Sequence, residues 1–330
     1  MYQQGYKRFT NNMAKKVVRI CNQRLHSYFP SSCKNTMTKY NQMSNRIFFS
    51  TNTQDLLNSE RESMPFDVLI VGGGPSGLSA AIKLKQLCLE KDCDLSVCVV
   101  EKGNEIGAHI LSGNVFDPRA LEELFPDTDW RNEVLEEQSS YASPVTEDRF
   151  KILSETSSYD IPSFLLPKQL NNNGNYIISL SQVCRWLGKK AEELGVEVYP
   201  GFSASEVLFN QDKSAVKGVA TRDMGIGKDG IPKDVYERGV ELRARQTLFA
   251  EGARGSCSES IIEHFKLRDG KSEQTYGLGI KEVWEIPEKN HKLGYVMHTL
   301  GWPLQSVWND KTFGGTFLYH QEPNLVLGKF

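Results

Sequence analysis

Three glycines, Gly72, Gly74 and Gly77, stand in a G-x-G-x-x-G pattern within Val71-Gly-Gly-Gly-Pro-Ser-Gly-Leu78. Each glycine has a physical reason. Gly72 permits a tight turn, Gly74 lets backbone come close to a pyrophosphate, and Gly77 lets the next helix pack closely on a sheet. A pyrophosphate would then lie at a helix N-terminus, where free N–H groups and the helix dipole favour negative charge. Glu101 ends the next apolar run, and a carboxylate there can accept hydrogen bonds from both hydroxyls of an adenosine ribose. The bland alternative is a glycine-rich turn that holds no dinucleotide.

These residues need elements to position them. Residues 68–71 are apolar and β-branched and read as a buried parallel strand. Ser79, Ala80 and Ala81 open a helix that continues through Leu84 and Leu87, and residues 95–100 form the second strand. Residues 179–194 place Leu180, Val183, Leu187, Ala191 and Leu194 at helical spacing, and Gly195 stops that helix. A strand follows at 196–198, broken by Pro200-Gly201. Residues 206–209 and 216–221, with Val207 in the first, alternate as a hairpin arm; residues 225–233 read as a loop. Residues 247–250 are a strand that leads into Glu251, Gly252, Ala253 and Gly255, a second small-residue turn. A helix starts at Ser256. Two such turns, one early and one late, are what a bound FAD needs in a two-pass Rossmann domain.

Between the first two strands and the long helix lie Gly107, Ala108, Ser112 and Gly113, small residues that suggest backbone approaching a flat ligand. His109 among them is either a pKa-tuned acid or a positioned, hydrogen-bonded neighbour. Residues 116–126 read as a short helix after Pro118, with Phe116, Leu121, Leu124 and Phe125 on one face. That face is either core packing or a membrane-dipping edge.

The 330 residues allow two domains of ordinary size or one large one. A net charge of -2 makes nucleic acid no obvious partner. No stretch approaches the about 18–20 apolar residues of a transmembrane helix. The first acidic residue is Asp55, and the segment before it carries Lys7, Arg8, Lys15, Lys16, Arg19, Arg24, Lys34, Lys39 and Arg46 among Ser, Thr and Asn. This is the composition of a mitochondrial transit peptide over residues 1–55; a basic arm retained on the protein is the alternative. The 7 cysteines form no C-x-x-C pair, which argues against a disulfide framework and against zinc or iron–sulfur ligation by this chain alone. Cys88 and Cys98 lie in apolar contexts and read as core thiols.

Further signposts are specific. Glu101-Lys102 with Ile106-Gly-Ala-His-Ile-Leu-Ser-Gly113, Gln274-Thr-Tyr-Gly-Leu-Gly279, Gly301-Trp-Pro-Leu304 and Gly314-Gly-Thr-Phe-Leu-Tyr-His320 resemble the electron-transfer flavoprotein:ubiquinone oxidoreductase family. So do Pro144-Val-Thr-Glu-Asp-Arg-Phe150 and Gly195-Val-Glu-Val-Tyr-Pro-Gly201. The resemblance runs from about residue 64 to the C-terminus in one order.

The resemblance implies an α/β fold: a glutathione-reductase-like FAD-binding Rossmann domain (64–103 and 171–266) with an interleaved α+β ubiquinone-binding domain (104–170 and 267–330). It implies cofactor contacts at Gly72, Gly74, Gly77, Glu101, Gly107, His109, Ser112, Gly113, Val207, Glu251, Gly252 and Ala253. Gly314 and Gly315 match the pair whose bare backbone approaches the quinone ring. The family passes electrons from reduced electron-transfer flavoprotein through FAD and a [4Fe–4S] cluster to ubiquinone, on the matrix side of the inner mitochondrial membrane. It thereby links fatty-acid and amino-acid oxidation to the respiratory chain. Residues 106–127 are expected to lie partly in the bilayer. Phe313 stands where a Tyr is expected. The cluster ligands and the C-terminal iron–sulfur domain are expected to be absent from this chain, which reads as an N-terminal portion that does not turn over alone. Other readings are a FAD-dependent monooxygenase or isoprenoid reductase, or a non-catalytic shortened product.

Overall fold

The apolar run at 68–71 ends the central strand of a six-stranded sheet. A computed structural model describes residues 57, 59–111, 113–137, 142–303, 305, 314–322 and 325–329. The transit-peptide reading of 1–55, Ser112, Leu304 and Phe313 therefore lie outside the described residues. In chain order the first half comprises β1 (Ser63–Val71), α1 (Pro75–Glu90), β2 (Val97–Glu101), β3 (Asn114–Phe116), α2 (Arg119–Leu124), α3 (Trp130–Glu137), β4 (Ala142–Pro144), β5 (Glu147–Leu153) and β6 (Ser158–Asp160). Then come β7 (Tyr176–Ile178), α4 (Leu180–Glu193), β8 (Glu197–Pro200), β9 (Ala204–Phe209), β10 (Val216–Thr221), β11 (Met224–Ile226), β12 (Pro232–Glu237), β13 (Glu241–Phe249) and α5 (Ser256–His264). The chain continues with β14 (Lys281–Glu285), β15 (Tyr295–Gly301), β16 (Gly315–Gln321) and β17 (Leu325–Lys329).

The first sheet has the order β8-β2-β1-β13-β10-β9. β1 pairs in parallel with β2 on one side and β13 on the other, and β2 pairs in parallel with β8. Val97, Cys98, Val99 and Val100 are buried on both faces, as a central parallel strand requires. β10 runs antiparallel to both β13 and β9. Val207 lies in the edge strand β9 opposite Val219, with β10 and β13 between it and β1.

Two expectations change. Residues 225–233 are not wholly a loop, because β11 and β12 pair antiparallel across them. The glycines mark the tight end of that hairpin rather than an absence of structure. β13 starts at Glu241, well before residue 247, because Leu242 and Ala244 point inward while Arg243 and Arg245 point to solvent. The charged partners of that alternation hid the strand.

Against the sheet pack α1 and α4. Val183, Cys184, Trp186, Leu187 and Ala191 are buried on α4, and Gly195 leaves it at φ 81°. Trp186 is 1 % exposed, meets Phe125 edge to face at 5.1 Å, and donates its indole N–H to Glu133 at 3.2 Å. Leu121, Leu124 and Phe125 belong to the same core as Ile82, Val99 and Trp130. Of the two readings of residues 116–126, core packing is the one realised. Leu121, Leu124 and Phe125 are buried against α1 and α4, with Phe116 partly buried beside them.

A second six-stranded sheet has the order β14-β17-β16-β15-β5-β6, antiparallel except for β15 with β5. A three-stranded sheet, β3-β7-β4, joins the two. Successive residues of a strand point to opposite faces. Accordingly Ile177 packs with Val296, Tyr319 and Leu327 of the second sheet, and Ile178 packs with the first core. Residues 59–330 thereby form one compact unit.

Candidate functional site

Gly72, Glu101 and Ala250 all sit where β1, β2 and β13 finish, at one edge of the parallel sheet. Ligands of open α/β sheets bind at that carboxyl edge. Backbone bonds hold the edge together: Gly72 N–H donates to the Val100 carbonyl at 2.8 Å, and Ala250 N–H donates to the Val71 carbonyl at 2.8 Å. Gly72 has φ 113°, and a Cβ there would meet the Ala250 carbonyl oxygen at 2.3 Å. The early and late turns are therefore in contact through a position only glycine can occupy.

The three motif glycines have different surroundings. A Cβ on Gly77 would lie 2.0 Å from the Gly72 carbonyl oxygen and 3.1 Å from the Ile70 side chain, so Gly77 serves helix–sheet packing. A Cβ on Gly74 would meet nothing within 4 Å. Gly74 is the N-cap of α1, with φ -85° and ψ -176°, followed by Pro75; no side chain caps this helix and no acid lies in its first turn. An uncapped, acid-free helix N-terminus beside open space suits an anion.

Glu101 is held from both sides. Its Oε2 accepts from Gly73 N–H at 2.9 Å and its Oε1 from Gly103 N–H at 2.7 Å. A carboxylate has about four lone-pair sites, so two remain for hydroxyl donors. Gly73 has a definite task that sequence reasoning missed. It supplies that amide, and a Cβ there would meet Ile106 at 2.6 Å and the Glu101 side chain at 3.1 Å. The run of three consecutive glycines was its signal.

In the late turn the Glu251 carboxylate accepts from Ser258 N–H and Ser258 hydroxyl, both at 2.7 Å, and from Cys257 N–H at 3.3 Å. It caps α5 and fixes the turn; Gly252, at φ 83°, and Ala253 are exposed beside it. Gly107 packs so closely that a Cβ would lie 2.4 Å from the Ser181 carbonyl oxygen. His109 is exposed. The Gly113 carbonyl accepts from Lys281 Nζ at 2.9 Å, and burial lowers that ammonium's pKa. Lys281 thus ties the first small-residue segment to β14, a link no sequence motif announces. Val207 is not brought to the turn.

On the second sheet Gly315 pairs with Leu300, and a Cβ on it would meet the Thr299 carbonyl oxygen at 2.4 Å. Gly314 precedes it. The next rungs place His298 opposite Phe317 and Val296 opposite Tyr319. His298 Nε2 lies 2.8 Å from the Tyr319 hydroxyl, and Phe317 stacks on Tyr319 at 4.3 Å. Burial lowers the His298 pKa and raises that of Tyr319. Among the described residues no group of three or more His, Cys, Asp or Glu is placed to hold a metal ion. Burial pushes Cys184 up to about 12 and Cys257 up to about 11, which keeps both as neutral thiols.

Sheet order, paired glycine turns and the bridging carboxylate define a dinucleotide-binding Rossmann protein joined to a second β-sheet. A family model described as NAD(P)-binding Rossmann-like domain matches residues 70–126, and one described as ETF-QO, ubiquinone-binding matches residues 276–329. Over most of its length the chain is homologous to the electron transfer flavoprotein-ubiquinone oxidoreductases. It is 56% identical over 275 residues to the mitochondrial protein of that name from Oryza sativa, covering 82% of this chain and 45% of the relative. It is 52% identical over 269 residues to the Pseudomonas aeruginosa protein, covering 81% of this chain and 47% of the relative. The chain spans about half the length of these relatives. Among solved structures, a geranylgeranyl bacteriochlorophyll reductase-like protein from Thermoplasma acidophilum aligns with TM-score 0.50 at 18% identity, over 81% of this chain and 56% of that one. That likeness concerns the fold alone.

Proposed function

We propose that this chain supplies the flavin- and quinone-binding parts of an electron-transferring-flavoprotein dehydrogenase. The whole protein takes electrons from reduced electron-transfer flavoprotein and delivers them to ubiquinone. The observation that carries the reading is the pairing, in one homologous stretch, of the Gly72–Glu101 turn with a sheet that matches a ubiquinone-binding family.

The residues at the turn fit FAD. The open side of Gly74 and the uncapped α1 N-terminus accommodate a pyrophosphate, and Glu101 has lone pairs for ribose hydroxyls. When bound, FAD accepts and releases electrons singly or in pairs. Gly72 and Gly77 set the turn's path, and Glu251, Gly252 and Ala253 support it from the late turn. Gly107, His109 and Gly113 line the flat part of the ligand. Gly314 and Gly315 receive the quinone head group. The family's [4Fe–4S] cluster takes its ligands from outside the described residues.

We place the protein monotopically on the matrix side of the inner mitochondrial membrane. Relatives named mitochondrial support this, as do exposed apolar side chains at Leu111 (69%), Phe164 (83%) and Leu165 (65%). Among the described residues no helix is long and apolar enough to cross a membrane.

A chimaera tests the function. Residues 64–330 replace the matching segment of the Bos taurus relative, which is 52% identical over 276 residues. The expected result is a flavin-loaded protein that reduces ubiquinone with reduced electron-transfer flavoprotein as donor. A folded chimaera lacking flavin would reject the cofactor assignment, and a flavin-loaded one without turnover would reject the quinone assignment.

A further inference from the structure

The C-terminal end of α1 carries a pair of cysteines that the proposed electron path does not use. The helix closes with Cys93 N–H donating to the Cys88 carbonyl at 3.0 Å and Asp92 N–H donating to the Leu89 carbonyl at 3.4 Å. Asp92 has φ 50°. This is the Schellman ending, with its left-handed residue and its 6→1 and 5→2 bonds. The same ending brings the side chains of its first and last residues together, usually as an apolar contact. Here those two residues are Cys88 and Cys93. A 3.0 Å bond between the two main chains keeps their Cα atoms within about 7 Å by covalent geometry alone. Disulfides span about 4.4–6.8 Å between Cα atoms.

The two thiols differ in access. Cys88 is 3% exposed and Cys93 is exposed, while Cys98, Cys184 and Cys257 are buried. The Cys88 thiol beside it raises the Cys93 pKa. Neither residue belongs to the nucleotide turn, which lies at the other end of α1.

We propose that Cys88 and Cys93 are a dithiol–disulfide pair, oxidised by a small-molecule disulfide of the glutathione class. The Cys93 thiolate attacks one sulfur of the oxidised glutathione; the S–S bond breaks and one glutathione thiolate leaves. The Cys88 thiolate then attacks Cys93 in the mixed disulfide, forms the Cys88–Cys93 bond, and releases the second glutathione. The protein loses two electrons and two protons, and one glutathione disulfide becomes two thiols. Exposure decides which sulfur reacts first, and the helix ending holds the resolving thiol beside it.

The full chain is titrated with glutathione disulfide, quenched by alkylation, and mapped by peptide mass spectrometry. The expected result is that Cys88 and Cys93 lose alkylation together and appear in one cross-linked peptide, which dithiothreitol reverses. Cys88→Ser is expected to accumulate the glutathione adduct on Cys93, and Cys88→Ala repeats that arm with a side chain suited to a buried site. Cys93→Ser is expected to leave Cys88 unmodified. An unresolved glutathione adduct at Cys93 in the parent chain, or continued alkylation of both thiols under excess oxidant, would overturn the proposal. Circular dichroism confirms that each variant scored is folded.

Discussion

Gly74 and Gly77 share a motif but have opposite surroundings, and this separates binding from folding. Gly74 has an extended backbone that any residue adopts, and open space where its Cβ would be. Gly74→Val is therefore expected to fold with near-parent stability and to lose flavin, read as flavin absorbance per protein. Gly77→Val drives a side chain into the Gly72 carbonyl, and is expected to cost about 2–3 kcal/mol of stability in urea unfolding. Equal effects of the two on both readouts would contradict this division. Glu101→Ala removes the acceptor of two amides and, on the proposed reading, of the ribose hydroxyls. With charge-assisted bonds worth about 1.5–3 kcal/mol each, FAD affinity should fall by about tenfold or more. An affinity within a factor of about two of the parent would give Glu101 another role. At this scale the motif glycines and Glu101 were legible because their spacing is local. Lys281 and the His298–Tyr319 pair were not, because partners far apart in the chain meet only through strand register.

The element scale shows where an apolar pattern is ambiguous. Leu121, Leu124 and Phe125 present the same stripe whether they face a core or a bilayer, and only the placement of α4 decides it. Phe125→Ala should cost about 3–5 kcal/mol, because it removes the ring against Trp186. A loss of vesicle binding with unchanged unfolding free energy would restore the membrane reading. The α4 helix was legible because its 3.6-residue spacing and Gly195 stop agree; β13 was legible only at its end, because exposed charges mask the first part of a nine-residue strand. The β1–β2 register also has a titratable anchor. Asp67 Oδ2 accepts from Ser96 N–H at 3.0 Å and from its hydroxyl at 2.9 Å, and Arg245 lies 3.3 Å away. The Ser96 main-chain bond, then its hydroxyl, hold the Asp67 pKa below the usual carboxylate value. A depressed folded-state pKa contributes stability that is present above the unfolded value of about 3.9 and is lost as pH falls through the folded value. Asp67→Asn should therefore be less stable than the parent by about 1 kcal/mol at neutral pH, with the gap closing below about pH 4. A gap independent of pH from 7 to 3 would contradict the assignment.

For the whole molecule, the family resemblance implied two interleaved domains, while the two six-stranded sheets and the joint between them came only from the fold. Strand β7 is three residues long, yet it sends Ile177 into one core and Ile178 into the other. A pattern so short carries no periodic signal. The joint matters because the proposed function needs nucleotide and quinone residues on one rigid unit, whose interior then fixes the distance electrons travel. On the proposed function, the Gly72–Glu101 edge binds the ADP half of FAD. The most direct test is an equilibrium titration of the full chain by flavin fluorescence, with ADP and FMN as competitors. ADP is expected to displace FAD while FMN does not, and Gly74→Val and Glu101→Ala are expected to weaken FAD and ADP together. Displacement by FMN but not ADP, or undiminished binding in Gly74→Val, would contradict it.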